Sequence, residues 1–565
     1  MKSSFVSILD PAENPDKERP RPVFLTDLNL DQIIDRICRD WGENVEKYYS
    51  RFPADASCED YRRKVFGDVK QTEVYKALCE FVERMKARRE VFVKKEEVEH
   101  KLQRAAWHIR EVDDYCGAFT ELYKALEGIQ LFSEGLKEFR TYLGQYLATE
   151  EFREMRQSAA GLLEELNTFR LVLTYENDRI TLTEGEIQGA YDAFLEGCFP
   201  GQNKRMKSPF ETTPGLLELE KELLQVFRKK NPGFFQRAEA FYQRYDYYAQ
   251  EELIRFASEI RFYLSYCCFE RKMQERGFEF CVPVMAERPW GGQEAAAQEK
   301  AGAGSHGQGA AAQEKAGAGS HGQEAAGQES AEAGSCRQGI HGQEVSEQGM
   351  SASGLYDLAL ACANRAGEKE IVSNDMEYKI NEGFFVLTGP NQGGKTTFAR
   401  SLGQLIYLAK MGLDVPARKA RLYRFPGLLT HFSVEESVET GRGKLMEELE
   451  RLANMMTDSC AGSFVVINEL FTTAANYDAC IMGKRVLEHF LAQGCMGIYV
   501  THLAELAEAH PQVVSLKAML DEKGMRSFRI ERGRAADYAN AASQVRQYGL
   551  TYEQLKERLN SRRDG

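Results

Sequence analysis

The stretch Gly389-Pro390-Asn391-Gln392-Gly393-Gly394-Lys395-Thr396-Thr397 fits the phosphate-holding pattern G-x-x-x-x-G-K-[ST]. Its glycines let the backbone curl around an anion with no side chain in the way. The N–H groups at the start of the next helix then point at that anion. Lys395 adds a positive charge toward the outer phosphates of a nucleotide, and the Thr396 hydroxyl can serve a bridging Mg²⁺. All nine residues are candidate nucleotide-binding positions. They follow an apolar run, Phe384–Leu387, and precede a helical stretch over Phe398–Lys410, which is the strand–loop–helix context such chemistry needs.

A second apolar run, Phe464-Val465-Val466-Ile467, ends in Asn468-Glu469. A strand ending in acidic residues is a Walker B arrangement. Its first residue orients Mg²⁺ and bound water, and its second polarises the attacking water. Glu469 suits the second role and is a candidate catalytic and metal-site residue. Asn468 stands in the first position with no negative charge, still able to hydrogen-bond a metal-bound water. Thr396, Asn468 and Glu469 are the candidate metal-site set. A third run, Tyr499-Val500-Thr501, leads to His502, a candidate catalytic residue placed to touch the γ-phosphate or its water. ATP and Mg²⁺ are the cofactors these residues imply.

The elements that must position them change character along the chain. Residues 1–22 carry Pro11, Pro15, Pro20 and Pro22 and read as an extended N-terminal arm. Residues 23–277 read as mostly helical. Leu126, Ile129, Phe132, Leu136, Phe139, Leu143 and Tyr146 recur at spacings of three and four and predict one apolar stripe on a helix over 126–147. Thr213-Pro214 is a helix start, and Leu253, Phe256, Ile260 and Tyr263 mark another apolar helix. Phe169–Tyr175 and Ile180–Thr183, with Asn177-Asp178 between, predict a β-hairpin. From 278 to 565, short apolar runs alternate with helical stretches, the pattern of an α/β domain with a buried sheet. The fold class is therefore multidomain: a helical region followed by an α/β P-loop NTPase. That second part is interrupted at 291–350 by a Gly-, Ala-, Gln-, Glu- and Ser-rich repeat, in which Ala295–Gln308 recurs at Ala310–Gln323. Such a composition buries too little apolar surface to offset ordering entropy, and a disordered insertion is expected. His306 and His321 lie one repeat apart and His341 falls in a degraded third copy, so the three are read as parts of the repeat rather than as a metal site.

Composition sets further bounds. The net charge of −13 works against generic nucleic-acid affinity, so DNA binding would need local basic surfaces. Candidates are Lys86–Arg89 with Lys94-Lys95, Lys204–Lys207 and Arg228–Lys230, each of which also reads as a solvated face. The 13 cysteines are scattered without metal-ligand spacing, as in a reducing, cytoplasmic setting. No leader pattern or long apolar span stands out, and no membrane association is expected.

Gly389–Thr397 resembles the narrower form GPNxGGK[ST]T of the MutS family. Met411-Gly412-Leu413-Asp414-Val415-Pro416-Ala417 is similar to that family's Met-Gly-x-x-Val-Pro-Ala. Asn476-Tyr477-Asp478 is similar to the end of the loop after its Walker B strand, and Val500-Thr501-His502 to its Ala-Thr-His. More loosely, Arg62-Arg63-Lys64-Val65-Phe66 is similar to a helix-start pattern in the MutS core. The resemblance implies a helical core and lever region (23–277) that clamps DNA, and an ABC-type ATPase (278–565). It implies that Asn391 and Lys395 hold phosphates, that Thr396 binds Mg²⁺, and that two ATPase domains pair in a homodimer, each completing the other's site. It implies ATP hydrolysis driving a clamp on mismatched or branched DNA. The family's trans-acting segment corresponds to Thr440-Gly441-Arg442-Gly443-Lys444-Leu445, with Gly443 where a hydroxyl stands in the family. The Gly-x-Phe-Tyr-Glu segment that reads mismatches has no counterpart here, so a short form without that domain is expected. Two other readings stay open. One is a nucleotide-switched binding module with little hydrolysis, and the other is the same ATPase working on a non-DNA partner such as a ribosome.

Overall fold

A computed structural model of the chain describes residues 5–11, 21–42, 44–53, 55–169, 171–176, 179–185, 218–288, 349–364, 370–432, 444–457, 460–521, 525–534 and 551–561. Most of the 291–350 repeat, Lys204–Lys207, the Thr213-Pro214 helix start, the Asn177-Asp178 turn and Thr440–Gly443 lie outside the described residues. The chain divides into two compact units. The first comprises Met1–Phe280, Cys362–Glu368 and Tyr407–Val415, and the second the remainder.

The first unit is built from helices α1 (Phe24–Asp27), α2 (Leu30–Cys38), α3 (Glu46–Tyr49), α4 (Ala56–Val69), α5 (Thr72–Glu97), α6 (Lys101–Glu127), α7 (Glu134–Leu147), α8 (Glu150–Thr168), α9 (Glu218–Lys230), α10 (Pro232–Arg244) and α11 (Glu251–Glu275). Strands β1 (Leu171–Glu176) and β2 (Arg179–Glu184) pair antiparallel where the hairpin was expected. Local chemistry starts several helices. The Asp55 carboxylate accepts from Cys58 N–H at the head of α4, and Ser133 and Thr149 hydroxyls cap α7 and α8. Helix α11 is buried on most of its surface, with Leu253, Phe256, Ile260 and Tyr263 in the core.

The structure departs from the sequence reading at three places. Residues 126–147 are not one helix: α6 stops at Glu127 and α7 begins at Glu134. The buried Asp68 carboxylate draws the backbone N–H groups of Phe132 and Ser133 to itself, at 3.0 and 2.8 Å, and with them the Ser133 hydroxyl. This distant acceptor outweighs the continuous apolar spacing. Arg62–Phe66 lies inside α4 rather than at a helix start. Finally, the basic run on α5 is not wholly a surface. Arg88 and Lys95 each reach the buried Glu111 at 2.8 Å, and Tyr248 joins them.

Where described, the N-terminal stretch is packed: Phe5, Ile8 and Leu9 are buried, and Ser7 and Ile8 donate to the Glu259 carboxylate on α11. Residues 407–415, which include much of the Met-Gly-x-x-Val-Pro stretch, are anchored in this unit by charge. Lys410 meets the buried Glu59 at 2.9 Å, and Lys70 pairs with Glu270 and Asp414.

The second unit carries two sheets. Strands β3 (Val284–Ala286), β4 (Met350–Leu355), β5 (Asn374–Tyr378) and β7 (Lys419–Tyr423) form a four-stranded sheet in the order β3-β7-β4-β5. The larger sheet runs β12-β11-β6-β10-β9-β8, from β6 (Phe384–Thr388), β8 (Leu428–Phe432), β9 (Phe464–Asn468), β10 (Met496–Val500), β11 (Val513–Leu520) and β12 (Arg526–Arg532). All its neighbours are parallel except β11 and β12. Every residue of β6, β9 and β10 is buried, which explains why these strands read as unbroken apolar runs rather than alternating ones. The unit's helices are α12 (Leu358–Ala363), α13 (Lys395–Lys410), α14 (Lys444–Met455), α15 (Asn476–Ala492) and α16 (Tyr552–Ser561), with a 3₁₀ turn at Ala504–Glu508; α12 and α13 each end in residues grouped with the first unit. Leu452 and Met455 of α14 and Val486, Leu487 and Phe490 of α15 join Val465, Ile467 and Tyr499 in one core.

Candidate functional site

Parallel pairing brings the three chemical motifs to one edge. β10 lies between β6 and β9, and Val500 is in register with both Leu387 and Asn468. The residues that follow each strand therefore leave the sheet side by side, at its carboxyl end, where open α/β sheets bind ligands. Glu469 N–H donates to Val500 O at 2.9 Å, and Thr501 N–H donates to Leu387 O at 3.1 Å, tying the three strand ends together.

The glycine loop between β6 and α13 needs its glycines. Gly389 and Gly394 have φ of +133° and +90°, values that side chains resist. A Cβ on Gly389 would lie 3.0 Å from Ala518 Cβ, and one on Gly393 would lie 3.0 Å from Pro390 O. The loop is a backbone cradle with little room for added side chains. Gln392 adopts φ +60° without being glycine, and with Asn391 it is exposed at the loop's tip. Pro390 accepts from Gly393 N–H at 3.2 Å.

Lys395 opens α13 and is 4% exposed, folded back so that Nζ donates to Gly389 O at 2.7 Å and Pro390 O at 3.2 Å. Burial lowers its pKa, and the nearby Glu469 charge acts in the opposite direction. Such an ammonium gains when a phosphate replaces carbonyl dipoles as its partner. Thr396 and Thr397 follow on the first turn, both half-buried. The Thr396 hydroxyl donates to Asn468 Oδ1 at 3.0 Å. The glycine-loop motif and the strand-end motif, 72 positions apart, are thus in direct hydrogen-bond contact. Glu469 Oε1 lies 2.9 Å from His502 Nε2, and both side chains are partly exposed. The structure therefore brings together Lys395, Thr396, Asn468, Glu469 and His502. Tyr477, in the first turn of α15, is 77% exposed.

Two further residues bear on the site and escaped the sequence. Phe528, on β12, has φ +56°, and its ring edge lies 3.5 Å from where a Cβ on Gly394 would be. It is held there by Asn374, whose Nδ2 donates to Phe528 O at 3.1 Å and whose Oδ1 accepts from Ile530 N–H at 2.8 Å. Its partly exposed ring lies against the glycine loop. No local pattern marks it, because its place depends on β11 and β12 folding back beside β6. Among the described residues no cluster of His, Cys, Asp and Glu forms a metal cage, and the thiols are free. No helix among the described residues is long and apolar enough to cross a membrane.

Residues 385–549 match the family description MutS domain V. The chain is similar to the DNA mismatch repair protein MutS of Thermotoga sp. (strain RQ2), with 30% identity over 159 residues, which is 28% of this chain and 20% of that protein. It is also similar to the DNA mismatch repair protein msh-2 of Neurospora crassa, with 29% identity over 160 residues, which is 27% of this chain and 17% of that protein. The matched stretch thus spans about a fifth of the length of these curated relatives.

Proposed function

The chain belongs to the MutS family through residues 385–549, and on that premise we propose that it binds and hydrolyses ATP and couples the cycle to a grip on DNA. The observation that carries the reading is the Thr396–Asn468 hydrogen bond beside the Glu469–His502 pair, at the mouth of the glycine cradle.

The residues present fit a nucleotide with Mg²⁺. The cradle offers backbone N–H groups at a helix start, and Thr396 and Asn468 are hard oxygen donors of the kind Mg²⁺ accepts, directly or through water. When bound, Mg²⁺ neutralises charge on the outer phosphates. Gly389–Thr397 then hold the phosphates, with Lys395 supplying the positive charge and Asn391 a polar side chain at the rim. Glu469 polarises the attacking water, and His502 orients Glu469 through their shared hydrogen bond. The exposed ring of Phe528 offers the nucleoside an apolar face beside the loop. Pairing of two ATPase domains and closure on mismatched or branched DNA extend this reading to the whole protein.

Asn468 favours a second reading, in which ATP serves as a slow structural clip. It offers no charge where a Walker B carboxylate would stand. Turnover by wild type and by Glu469→Ala separates the two, because a switch shows equal, near-background rates. The first test is ATP uptake with Mg²⁺ by wild type and Lys395→Ala in equilibrium dialysis. Unchanged affinity in the variant would end the reading. Binding to plain, mismatched and branched DNA at two salt concentrations tests the DNA part, since phosphate contacts must weaken with salt. Absence of binding at both would transfer the ATPase to a non-DNA partner.

A further inference from the structure

We infer that Glu448 is a positioning residue: from helix α14 its buried carboxylate holds the turn that aims Glu469. The inference rests on the proposed ATPase reading for its catalytic consequence and on the geometry alone for the hold itself. Directly after β9, Glu469 and Phe471 have φ of +56° and +60°. Neither is glycine, and side chains disfavour the left-handed region, so surrounding structure must over-determine the turn. Three restraints are visible. Glu469 N–H is fixed on Val500 O. Leu470 and Phe471 are 4% and 2% exposed and sit in the core with Leu452 and Met455 of α14. The third restraint is polar: Phe471 N–H donates to Glu448 Oε2 at 3.1 Å.

Glu448 is itself only 4% exposed. A buried carboxylate is costly unless hydrogen bonds repay its desolvation, and the Phe471 amide supplies one such bond. Its helix is anchored in turn. Arg451, one turn on, donates to Thr430 O and Phe432 O at the end of β8, both at 3.3 Å. Glu448 thus links the α14–β8 edge of the sheet to the backbone two residues beyond Glu469. With that link lost, the turn can relax toward ordinary φ, and the Glu469 carboxylate leaves its place beside His502.

The test uses the full chain and three variants. Glu448→Met keeps the length and removes the acceptor, Glu448→Asp keeps the charge but falls short of the amide, and Glu448→Gln keeps an acceptor in place. Hydrogen exchange is followed over residues 469–475 and over Phe464–Asn468, and ATP turnover is measured alongside. Expected are faster exchange over 469–475 in the Met and Asp variants, with β9 unchanged and the Gln variant close to wild type. In parallel kcat falls roughly ten- to a hundredfold in Met and Asp with KM for ATP unchanged, and recovers in Gln. Should the Met variant fail to fold, the Asp variant decides. Unchanged exchange in the folded variants, or equal loss of kcat in Gln and Asp, would overturn the inference. A wild type that never turns over ATP would instead overturn the proposed function, while the exchange arm still decides whether Glu448 holds the turn.

Discussion

Asn468 is the residue at which this chain's chemistry is most exposed to a single atom. Its amide oxygen accepts from Thr396 where a carboxylate would place a full charge. Asn468→Asp should lower the Mg²⁺ needed for half-maximal ATP binding about tenfold, because an ionised oxygen binds the cation more strongly. Asn468 is buried, so the same variant should melt earlier without Mg²⁺ and regain stability with Mg²⁺ and ATP. A thermal melt with and without the cation checks both signs, and equal curves would place Asn468 outside the metal site. Glu469→Gln preserves shape but not basicity. It should retain ATP binding while kcat drops on the order of a hundredfold or more, the range of a lost general base. A matched fall in binding would assign Glu469 to holding the nucleotide instead.

At the scale of elements, the site depends on β10 lying flush between β6 and β9. Gly497 makes that approach possible: a Cβ there would lie 2.0 Å from Val465 O on the neighbouring strand. Its own carbonyl accepts from the buried Tyr378 hydroxyl at 2.7 Å. Backbone atoms cannot yield as a flexible side chain can, so Gly497→Ala should cost about 3 kcal/mol or more, the upper end for overpacking. Denaturant unfolding would measure it. A loss near zero would mean the strands separate without penalty, and the alignment of the three motifs would need another cause.

At the scale of the whole molecule, the helical first unit carries a pH dependence centred on one buried carboxylate. Glu259, buried on α11, accepts from Ser7 and Ile8, and burial pushes its pKa up to about 7 from 4.5. The unfolded chain loses this proton first as pH rises. Stability therefore falls between about pH 4.5 and pH 7, and the full penalty is present above 7. Glu259→Gln keeps an acceptor and removes the ionisation. Its gain over wild type should grow through that window to on the order of 3 kcal/mol. Urea unfolding at pH 5 and pH 8 reads the difference, and a pH-independent difference would refute the linkage.

What was legible in the sequence was what neighbouring residues encode together. The glycine loop with its lysine and threonine, the apolar runs of β6, β9 and β10, and the hairpin strands all appear as local spacing, since strand and helix periods are local properties. The polar residue at each strand end was legible too, as a candidate. What tertiary structure decided was which candidates meet. Strand order placed Thr396 against Asn468 and Glu469 against His502, and the fold-back of β12 set Phe528 on the loop. Long-range acceptors did the same for backbone and side chains: Asp68 ended a helix that apolar spacing would have continued, Glu111 drew the Arg88 and Lys95 side chains out of a basic face, and Glu448 reached the Phe471 amide. Hydrophobic spacing specifies a surface to be buried but not the partner that buries it, and a buried charge or amide takes whatever counterpart the packed chain brings within about 3 Å.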